Sequence, residues 1–231
     1  GTMQATLAGV LIRRCRHGVH LVKRNRNVLL SHCHVYHGRG AAIGVFYDRV
    51  NLHQSNIIGC HISYCKHAGI KIENSEVRNL QITGNDIEYN HDVGAELSAD
   101  VFIDSRNGTV RELTIASNTI QAKLSPQGAN VRIWGVRDDD LSRAAGLCAI
   151  SGNVLQSQAV NLELRDCRGV VVAGNSFATA YERSLVVDHC RHVNIGTNTF
   201  DYNPDYGGDR VDGVVVRGSD GVILSNLILE A

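Results

Sequence analysis

At 231 residues the chain is long enough for one domain with a continuous core, and its 43% hydrophobic and 20% charged residues are ordinary for a globular protein. Lys and Arg balance Asp and Glu at 23 each, and aromatic residues make up only 5%, which argues against a nucleic-acid partner. No uncharged apolar run approaches the roughly 18 residues of a membrane span, so none is predicted.

The first 27 residues contain two apolar segments, at residues 10–12 and 19–21, which have the composition of strands. They lie only nine residues apart. We interpret them as parts of an incomplete first turn of a repeating structure.

From residue 30 onward one short pattern recurs, most clearly as Ile-Thr-Gly-Asn-Asp-Ile at residues 82–87. Its fourth position is Asn or Cys, and neighbouring copies lie between 22 and 35 residues apart, a period that marks a solenoid. The residues three before and two after this position are always large and apolar. The series is Cys33, Cys60, Asn85, Asn118, Asn153, Asn175, Asn198 and Asn226.

Apolar positions two residues apart, separated by Gly, Asn and Ser, suit short strands broken by tight bends. A coil of about 22 residues with three such strands predicts a single-stranded right-handed parallel β-helix, in which neighbouring coils lie about 4.8 Å apart. The repeated asparagines would then form an internal ladder, bonding the next coil and the bent backbone. Cys33 and Cys60 would end this ladder as small buried thiols.

The Gly-Asn-Asp-Ile frame at residues 84–87 and Asp-Cys-Arg-Gly-Val-Val-Val-Ala-Gly-Asn at residues 166–175 resemble the repeats of the pectin-lyase-like superfamily. The resemblance covers roughly residues 9–230. It implies one all-β domain over residues 1–231, a solenoid of about 8–9 coils that could belong to a longer protein. It does not imply one activity, because the superfamily includes lyases, hydrolases, epimerases, phage tailspikes and non-enzymes.

The seven cysteines are an odd number, and several fall at inward positions. Cys167 and Cys190 both lie eight residues before a ladder asparagine, so we expect them to stack. Buried free thiols are the favoured interpretation, with a disulfide between these two as the alternative.

Insertions into the coils are expected at residues 93–112 and 131–147, with a further loop at residues 202–209. Loops that leave a solenoid coil often form its binding face.

Polar residues follow the ladder strand in three consecutive coils, next to strands expected to begin near Ala42, Gly69 and Gly94. A polyuronate β-elimination needs a cation to neutralise the carboxylate, a base to take the C5 proton and an acid to protonate the leaving oxygen. C5 epimerisation would use the same groups. Solvated turn residues are the competing interpretation. The candidate catalytic residues are Tyr64, Lys66, Tyr89 and His91, and Arg39, His67 and Asp92 are candidate substrate ligands.

In this scheme Arg39 or Lys66 neutralises the carboxylate, His91 or Lys66 is the base, and Tyr64 or Tyr89 is the acid.

Histidines crowd residues 32–37, and His34 and His61 share a column, so their rings should approach each other. Stacked surface histidines explain this better than a metal site, because no tetrahedral ligand spacing such as CxxC is present. No metal site is therefore predicted here. Calcium is the one cofactor left open, through the carboxylates of residues 138–140 and 201–212.

A basic column lies seven residues before the ladder, and could follow an anionic polymer. Its members are Arg26, His53, Arg78, Arg111, Arg168 and Arg191, interrupted by Gly146 and ended by Ser219. Ordinary solvated arginines paired with acids are the alternative. From this column, Arg78 and Arg111 are candidate substrate ligands.

The Trp-Ile-Asp-His, Gly-Asp-Asp, Gly-His-Gly and Asp-Pro-His-Asp motifs of related enzymes are missing, so no catalytic residue can be carried over by motif. The leading hypothesis is a carbohydrate-active protein that acts on or binds an acidic polysaccharide, by lyase or C5-epimerase chemistry. The alternatives are a non-catalytic scaffold or binding module and a trimeric tailspike-like assembly. The oligomeric state is left open. We expect a secreted, periplasmic or cell-surface protein with its leader trimmed.

Overall fold

The computed structural model describes residues 2–40, 42–91, 97–125, 127–137, 145–207, 209, 211 and 213–225. Every strand pairing in this part of the chain is parallel. The strands are β1 Thr2–Met3, β2 Thr6–Ala8, β3 Leu11–Arg13, β4 His17–Ser31, β5 His34–Tyr36, β6 Ile43–Ile58, β7 His61–Ser63, β8 Ala68–Glu73, β9 Glu76–Thr83, β10 Asp86–Glu88, β11 Ala99–Asp104, β12 Thr109–Ala116, β13 Thr119–Gln121, β14 Ala129–Trp134, β15 Ala145–Ser151, β16 Val154–Arg165, β17 Cys167–Ala173, β18 Ser176–Asp188, β19 Arg191–Gly196, β20 Thr199–Asp201, β21 Val214–Arg217 and β22 Asp220–Ser225.

The strands stack into three faces around about eight turns, which confirms the predicted all-β solenoid. Face one contains the short strands, from β3 through β5, β7, β10 and β13 to β20. Face two follows in each coil and includes β8, β11 and β14. Face three includes β9, β12, β15, β17 and β19. The strands β4, β6, β16 and β18 each run through a corner and contribute to two faces.

The asparagine ladder lies at the corner between face three and face one. Asn118 is representative: its Oδ1 accepts hydrogen bonds from the backbone N–H and the Nδ2 of Asn85, at 2.9 and 3.0 Å. Its Nδ2 donates to the carbonyl of Ile82 at 2.9 Å and to Oδ1 of Asn153 at 2.9 Å. The same bonds recur through Asn153, Asn175 and Asn198, whereas Asn226 lies outside the described residues.

The cysteines end the ladder as predicted. Cys60 donates its N–H to Asn85 Oδ1 at 2.9 Å, and its sulfur accepts the N–H of Cys33 at 3.4 Å. All seven cysteines are free, and all except Cys15 are buried. Cys167 and Cys190 stack without a disulfide, the Cys167 N–H lying 3.4 Å from the Cys190 sulfur.

From Cys33 to Asn198, the residue before each ladder position has a positive φ, which turns the backbone at the corner into the next strand. Glycine occupies this position at Gly84 and Gly152, both with φ of 65°. Since glycine has no Cβ, it adopts this left-handed conformation without strain, which explains the Gly-Asn pairs in the repeat.

One apolar core runs through the centre of the coils. It consists of the inward residues of all three faces, such as Ile87, Ile72 and Ile82, all at 0% exposure. Ile82 and Ile87 belong to the two columns that the sequence pattern predicted, whereas Ile72 belongs to a face-two column that it did not specify. Burial of such continuous stacks supplies the main stabilisation, at about 25 cal/mol per Å² of apolar surface.

The strands β1 and β2 already pair in parallel with β4, so the described part of the solenoid includes Thr2. The regular strands β11, β12 and β14 take up much of residues 93–112 and 131–147, so the expected insertions are limited to the segments between strands, parts of which lie outside the described residues. The structure corrects one boundary: the third face-two strand begins at Ala99 and not near Gly94, which lies outside the described residues.

In the described part of the chain, no helix has the length and apolar character needed to cross a membrane.

Replacing a central ladder residue should destabilise the solenoid. Asn118→Ala removes four buried hydrogen bonds, so the N–H of Asn85 and the carbonyl of Ile82 lose this partner, while Oδ1 of Asn153 keeps only the backbone N–H of residue 118. At about 1–3 kcal/mol for an unsatisfied buried group, we expect a loss of about 3 kcal/mol in free energy of unfolding. Asn118→Cys should lose less, because a sulfur already accepts the equivalent N–H at Cys60. Urea unfolding followed by circular dichroism measures both, with the exposed Thr119→Ala as control. Equal stability of Asn118→Ala and wild type would contradict the role of the ladder.

Candidate functional site

A second internal ladder, at the corner after face one, positions the predicted tyrosines. Asn90 is buried; its Oδ1 accepts the N–H of Cys65 at 3.0 Å, and its Nδ2 donates to the carbonyl of Ile62 at 2.9 Å. Because Cys65 and Asn90 point inward, the preceding Tyr64 and Tyr89 point outward. Both tyrosines have left-handed φ angles, 55° and 53°. Their rings stack with centroids 5.4 Å apart and planes 12° apart.

The corner ladder ends at a buried carboxyl group. Asp100 is 1% exposed, and its Oδ1 accepts the N–H and the Nδ2 of Asn90, both at 3.2 Å. Asn130 Nδ2 lies 3.3 Å from its Oδ2. Burial raises the pKa of Asp100 well above its ordinary value, and the nearby Glu88 raises it further, although the asparagine bonds oppose both effects. Burial at the end of the ladder therefore shifts this carboxyl group toward its neutral form.

A chain of hydrogen bonds crosses the outer surface of face one, from coil to coil. Nε2 of His61 lies 3.0 Å from Oε1 of Glu88, and Gln121 Nε2 donates to the other Glu88 oxygen at 2.7 Å. Gln156 Nε2 donates to Gln121 Oε1 at 2.8 Å, and Asn203 Nδ2 donates to Gln156 Oε1 at 3.0 Å. These side chains form a continuous polar strip over four coils.

The loop after β20 reaches back along the solenoid to this strip. The Tyr206 hydroxyl lies 3.3 Å from the Tyr89 hydroxyl and 3.2 Å from Gln121 Oε1. The hydrogen bond with Tyr89, together with burial, raises the pKa of Tyr206 to about 12, so this phenol stays protonated and can act as a hydrogen-bond donor. We call the resulting set the tyrosine–glutamine surface; it consists of Tyr64, Tyr89, Tyr206, Glu88, Gln121 and Gln156.

Histidines and carboxylates adjoin this surface on neighbouring coils. The rings of His34 and His61 stack with centroids 4.3 Å apart, as their shared column predicted. Burial and the neighbouring His61 lower the pKa of His34. Nε2 of His61 lies 3.8 Å from Oδ2 of Asp86, and burial and the charge of Glu88 raise the pKa of Asp86. One imidazole and two carboxylates thus converge, a set that can hold a metal ion.

The structure brings most of the predicted residues to this region. Tyr89 and His91 lie near each other, with ring centroids 6.5 Å apart. Lys66 and Arg39 are exposed at the same corner of neighbouring coils, and His67, which follows Lys66, is half-buried. Asp92 lies outside the described residues.

Arg78 and Arg111 lie elsewhere, on the outer surface of face three. They lie in one column as predicted: Arg78 is in register with His53 in one neighbouring strand and with Arg111 in the other. The column continues through Gly146 to Arg168 and Arg191, but it ends opposite Asp220 and not Ser219. These arginines therefore form a separate surface from the tyrosines.

Part of the polar strip can be predicted from the spacing of its residues in the sequence. Glu88, Gln121 and Gln156 all lie three residues after a ladder asparagine, so they form one outward column. By contrast, nothing in the sequence places Tyr206 beside Tyr89, because this contact depends on the path of a long loop.

Face two carries a second network that the sequence did not reveal. Arg132 is 3% exposed, and its Nε donates to Glu163 Oε2 at 2.6 Å. The guanidinium carbons of Arg106 and Arg165 lie 4.7 and 5.0 Å from the Trp134 ring centroid. Each of these arginines pairs with a carboxylate of the chain, and Arg132 and Arg165 share Glu163.

The acidic segments proposed for calcium gain no support as a group. Asp201 is exposed, and its Oδ1 accepts the N–H of Tyr202 at 2.7 Å. Residues 138–140 and 212 lie outside the described residues.

Comparison with known proteins agrees with the fold. The family described as the right handed beta helix region matches residues 1–120, more than half of the chain, and the chain belongs to this family. No curated protein matches it.

Solved structures similar to this chain are β-helix proteins of low sequence identity. The Dettilon tailspike protein is 11% identical with a TM-score of 0.54, and the match covers 98% of this chain and 54% of that one. Tailspike protein 3 of bacteriophage CBA120 is 12% identical, with a TM-score of 0.49 and coverage of 97% and 44%. The periplasmic alginate epimerase AlgG is 9% identical, with a TM-score of 0.47 and coverage of 97% and 74%. The chain spans about half the length of the two tailspikes, and these similarities show the fold alone.

The buried carboxyl group predicts a pH dependence. Asp100 has a raised pKa in the folded protein, so between its unfolded and folded pKa values the folded state binds more protons, and stability falls as pH rises above about 4. Asp100→Asn keeps the Oδ1 acceptor but cannot ionise. We expect the variant to melt at a higher temperature than wild type at pH 8 and to lose this advantage near pH 4. Thermal melts across this range test it, and parallel curves for both proteins would contradict the account.

Proposed function

We propose that the protein binds an acidic polysaccharide along face one, over the tyrosine–glutamine surface. The observation that carries this proposal is the stack of Tyr64 on Tyr89, extended by Tyr206 from a distant loop. A sugar ring has an apolar face that can lie on an aromatic ring, and hydroxyl groups that need planar hydrogen-bonding partners. Gln121, Gln156 and Glu88 supply such partners beside the rings.

The acidic class of the polysaccharide follows from the cations at this corner. Lys66 and Arg39 are exposed, and no carboxylate in the described part of the chain pairs with either side chain. Exposed cationic side chains without a carboxylate partner can pair with uronate carboxylates, whereas Arg106, Arg132 and Arg165 of face two already pair with carboxylates of the chain.

Two further features support a polymer as the ligand. The polar strip continues over four coils, so several sugar units can be contacted in sequence. Solved structures with a similar fold include the Dettilon tailspike protein and the periplasmic alginate epimerase AlgG. The alternative of a non-catalytic binding module has the same surface and differs only in lacking turnover.

Lyase or C5-epimerase chemistry is the finer candidate, and the closeness of Tyr89 and His91 favours it. His91 or Lys66 would take the C5 proton, and Arg39 or Lys66 would neutralise the carboxylate. In elimination, Tyr64 or Tyr89 would give a proton to the leaving oxygen as the C4–O bond breaks. In epimerisation, a proton returns to C5 from the opposite side.

Binding is tested by calorimetric titration of the protein with pectate, alginate, hyaluronan, heparin and xanthan fragments. We expect Tyr89→Ala to weaken binding about tenfold, or about 1.4 kcal/mol, because the stacking surface is lost. Tyr89→Phe should bind nearly as wild type. Lys66→Ala should also weaken binding, whereas Arg78→Ala on face three serves as the charge control. Loss of binding in Arg78→Ala but not in Lys66→Ala would overturn the placement on face one.

Turnover is tested by the ultraviolet absorbance of new unsaturated uronate, on the same substrates. If elimination occurs, His91→Ala or Lys66→Ala should abolish the signal, and one of Tyr64→Phe and Tyr89→Phe should lower it at least about 100-fold while still binding. Proton exchange at C5 followed by nuclear magnetic resonance tests epimerisation. Binding without either signal would leave the non-catalytic module as the function.

A further inference from the structure

The three side chains of His61, Asp86 and Glu88 have the geometry of an open metal site. They lie on the outer surface of face one, because β7 and β10 pair in register with His61 beside Asp86 and Ser63 beside Glu88. Their ligand atoms all lie within 4.8 Å of one another. The side chain opposite Glu88 is the small, buried Ser63, which leaves room for the carboxylate to turn toward His61.

The distances suit one shared ion. Metal bonds of about 2.0–2.2 Å to nitrogen and oxygen place two ligand atoms about 2.9 Å apart at a right angle and about 3.4 Å apart at a tetrahedral angle. Nε2 of His61 lies 3.0 Å from Glu88 Oε1 and 3.8 Å from Asp86 Oδ2. The Asp86 carboxylate is the group that must move closer to the other two, and it is half exposed.

Two residues that are not ligands themselves, Gln121 and His34, restrain the side chains of Glu88 and His61. Gln121 donates to Glu88 Oε2 at 2.7 Å, which fixes the carboxylate with Oε1 toward His61. The stacked ring of His34, with its centroid 4.3 Å from that of His61, limits rotation of the His61 imidazole. Such outer-shell contacts are typical of metal sites, where they orient the ligands.

We propose that His61, Asp86 and Glu88 bind a divalent first-row transition ion such as Mn²⁺ or Zn²⁺. One imidazole nitrogen favours such an ion over Ca²⁺, which prefers six to eight oxygen ligands. Two carboxylates and a neutral imidazole carry a charge of −2, which the ion neutralises. Three protein ligands leave coordination positions open toward solvent, as in metal sites that bind a further ligand. The site does not depend on the proposed saccharide function.

The test is calorimetric titration of the full chain, freed of metal by chelation, with Mn²⁺, Zn²⁺ and Ca²⁺ and without saccharide. The Cys15→Ser background is used, because the exposed Cys15 thiol could itself take Zn²⁺. We expect one ion per chain with a Kd of about 10 µM or tighter for Mn²⁺ or Zn²⁺, and at least about tenfold weaker binding of Ca²⁺.

His61→Ala and the near-isosteric Glu88→Gln should each weaken binding at least about tenfold, whereas His192→Ala, an exposed histidine on face three, should not. Circular dichroism confirms that the variants fold. The visible spectrum of bound Co²⁺ should show nitrogen and oxygen ligands only. Absence of binding at millimolar ion, unchanged binding in His61→Ala, or a thiolate band with Co²⁺ would overturn the site. Because saccharide binding can be measured separately in chelator, failure of either proposal is recognised independently.

Discussion

Each ladder asparagine bonds the next coil through its carboxamide and the preceding coil through a backbone carbonyl. Asn153, for example, bonds Asn175 of the next coil at 2.9 Å and the carbonyl of Ile115 in the preceding coil at 2.9 Å. A side chain that bonds the coils on both sides fixes the register between them, because a shift by one residue would leave buried amides without partners. The parallel columns on all three faces depend on this constraint.

The same register builds the surface that we propose to function. Because residues of the short strands alternate between inside and outside, the third residue after each ladder asparagine faces outward on face one. Glu88, Gln121 and Gln156 thereby meet across coils. At the next corner, Asn90 turns inward and forces Tyr89 outward onto Tyr64. The inward asparagines and the outward side chains of the proposed binding surface are therefore positioned by the same backbone arrangement.

Much of this arrangement could be predicted from the sequence, because it follows from spacing. The ladder, the stack of His34 on His61 and the arginine column on face three were all readable from residue numbers. Contacts that depend on the path of a loop could not be predicted from the sequence. Tyr206 meets Tyr89 across 117 residues, and no local pattern encodes this closure. The start of β11 was expected near Gly94 and lies at Ala99, because a long coil hides where an insertion ends and a strand begins.

A crystal structure of the protein with a bound uronate oligosaccharide tests the account most directly. The account predicts sugar rings on face one, one of them packed on Tyr64 or Tyr89, with a carboxylate near Lys66 or Arg39. Density along the arginine column of face three, or beside Trp134 on face two, with face one empty, would contradict it.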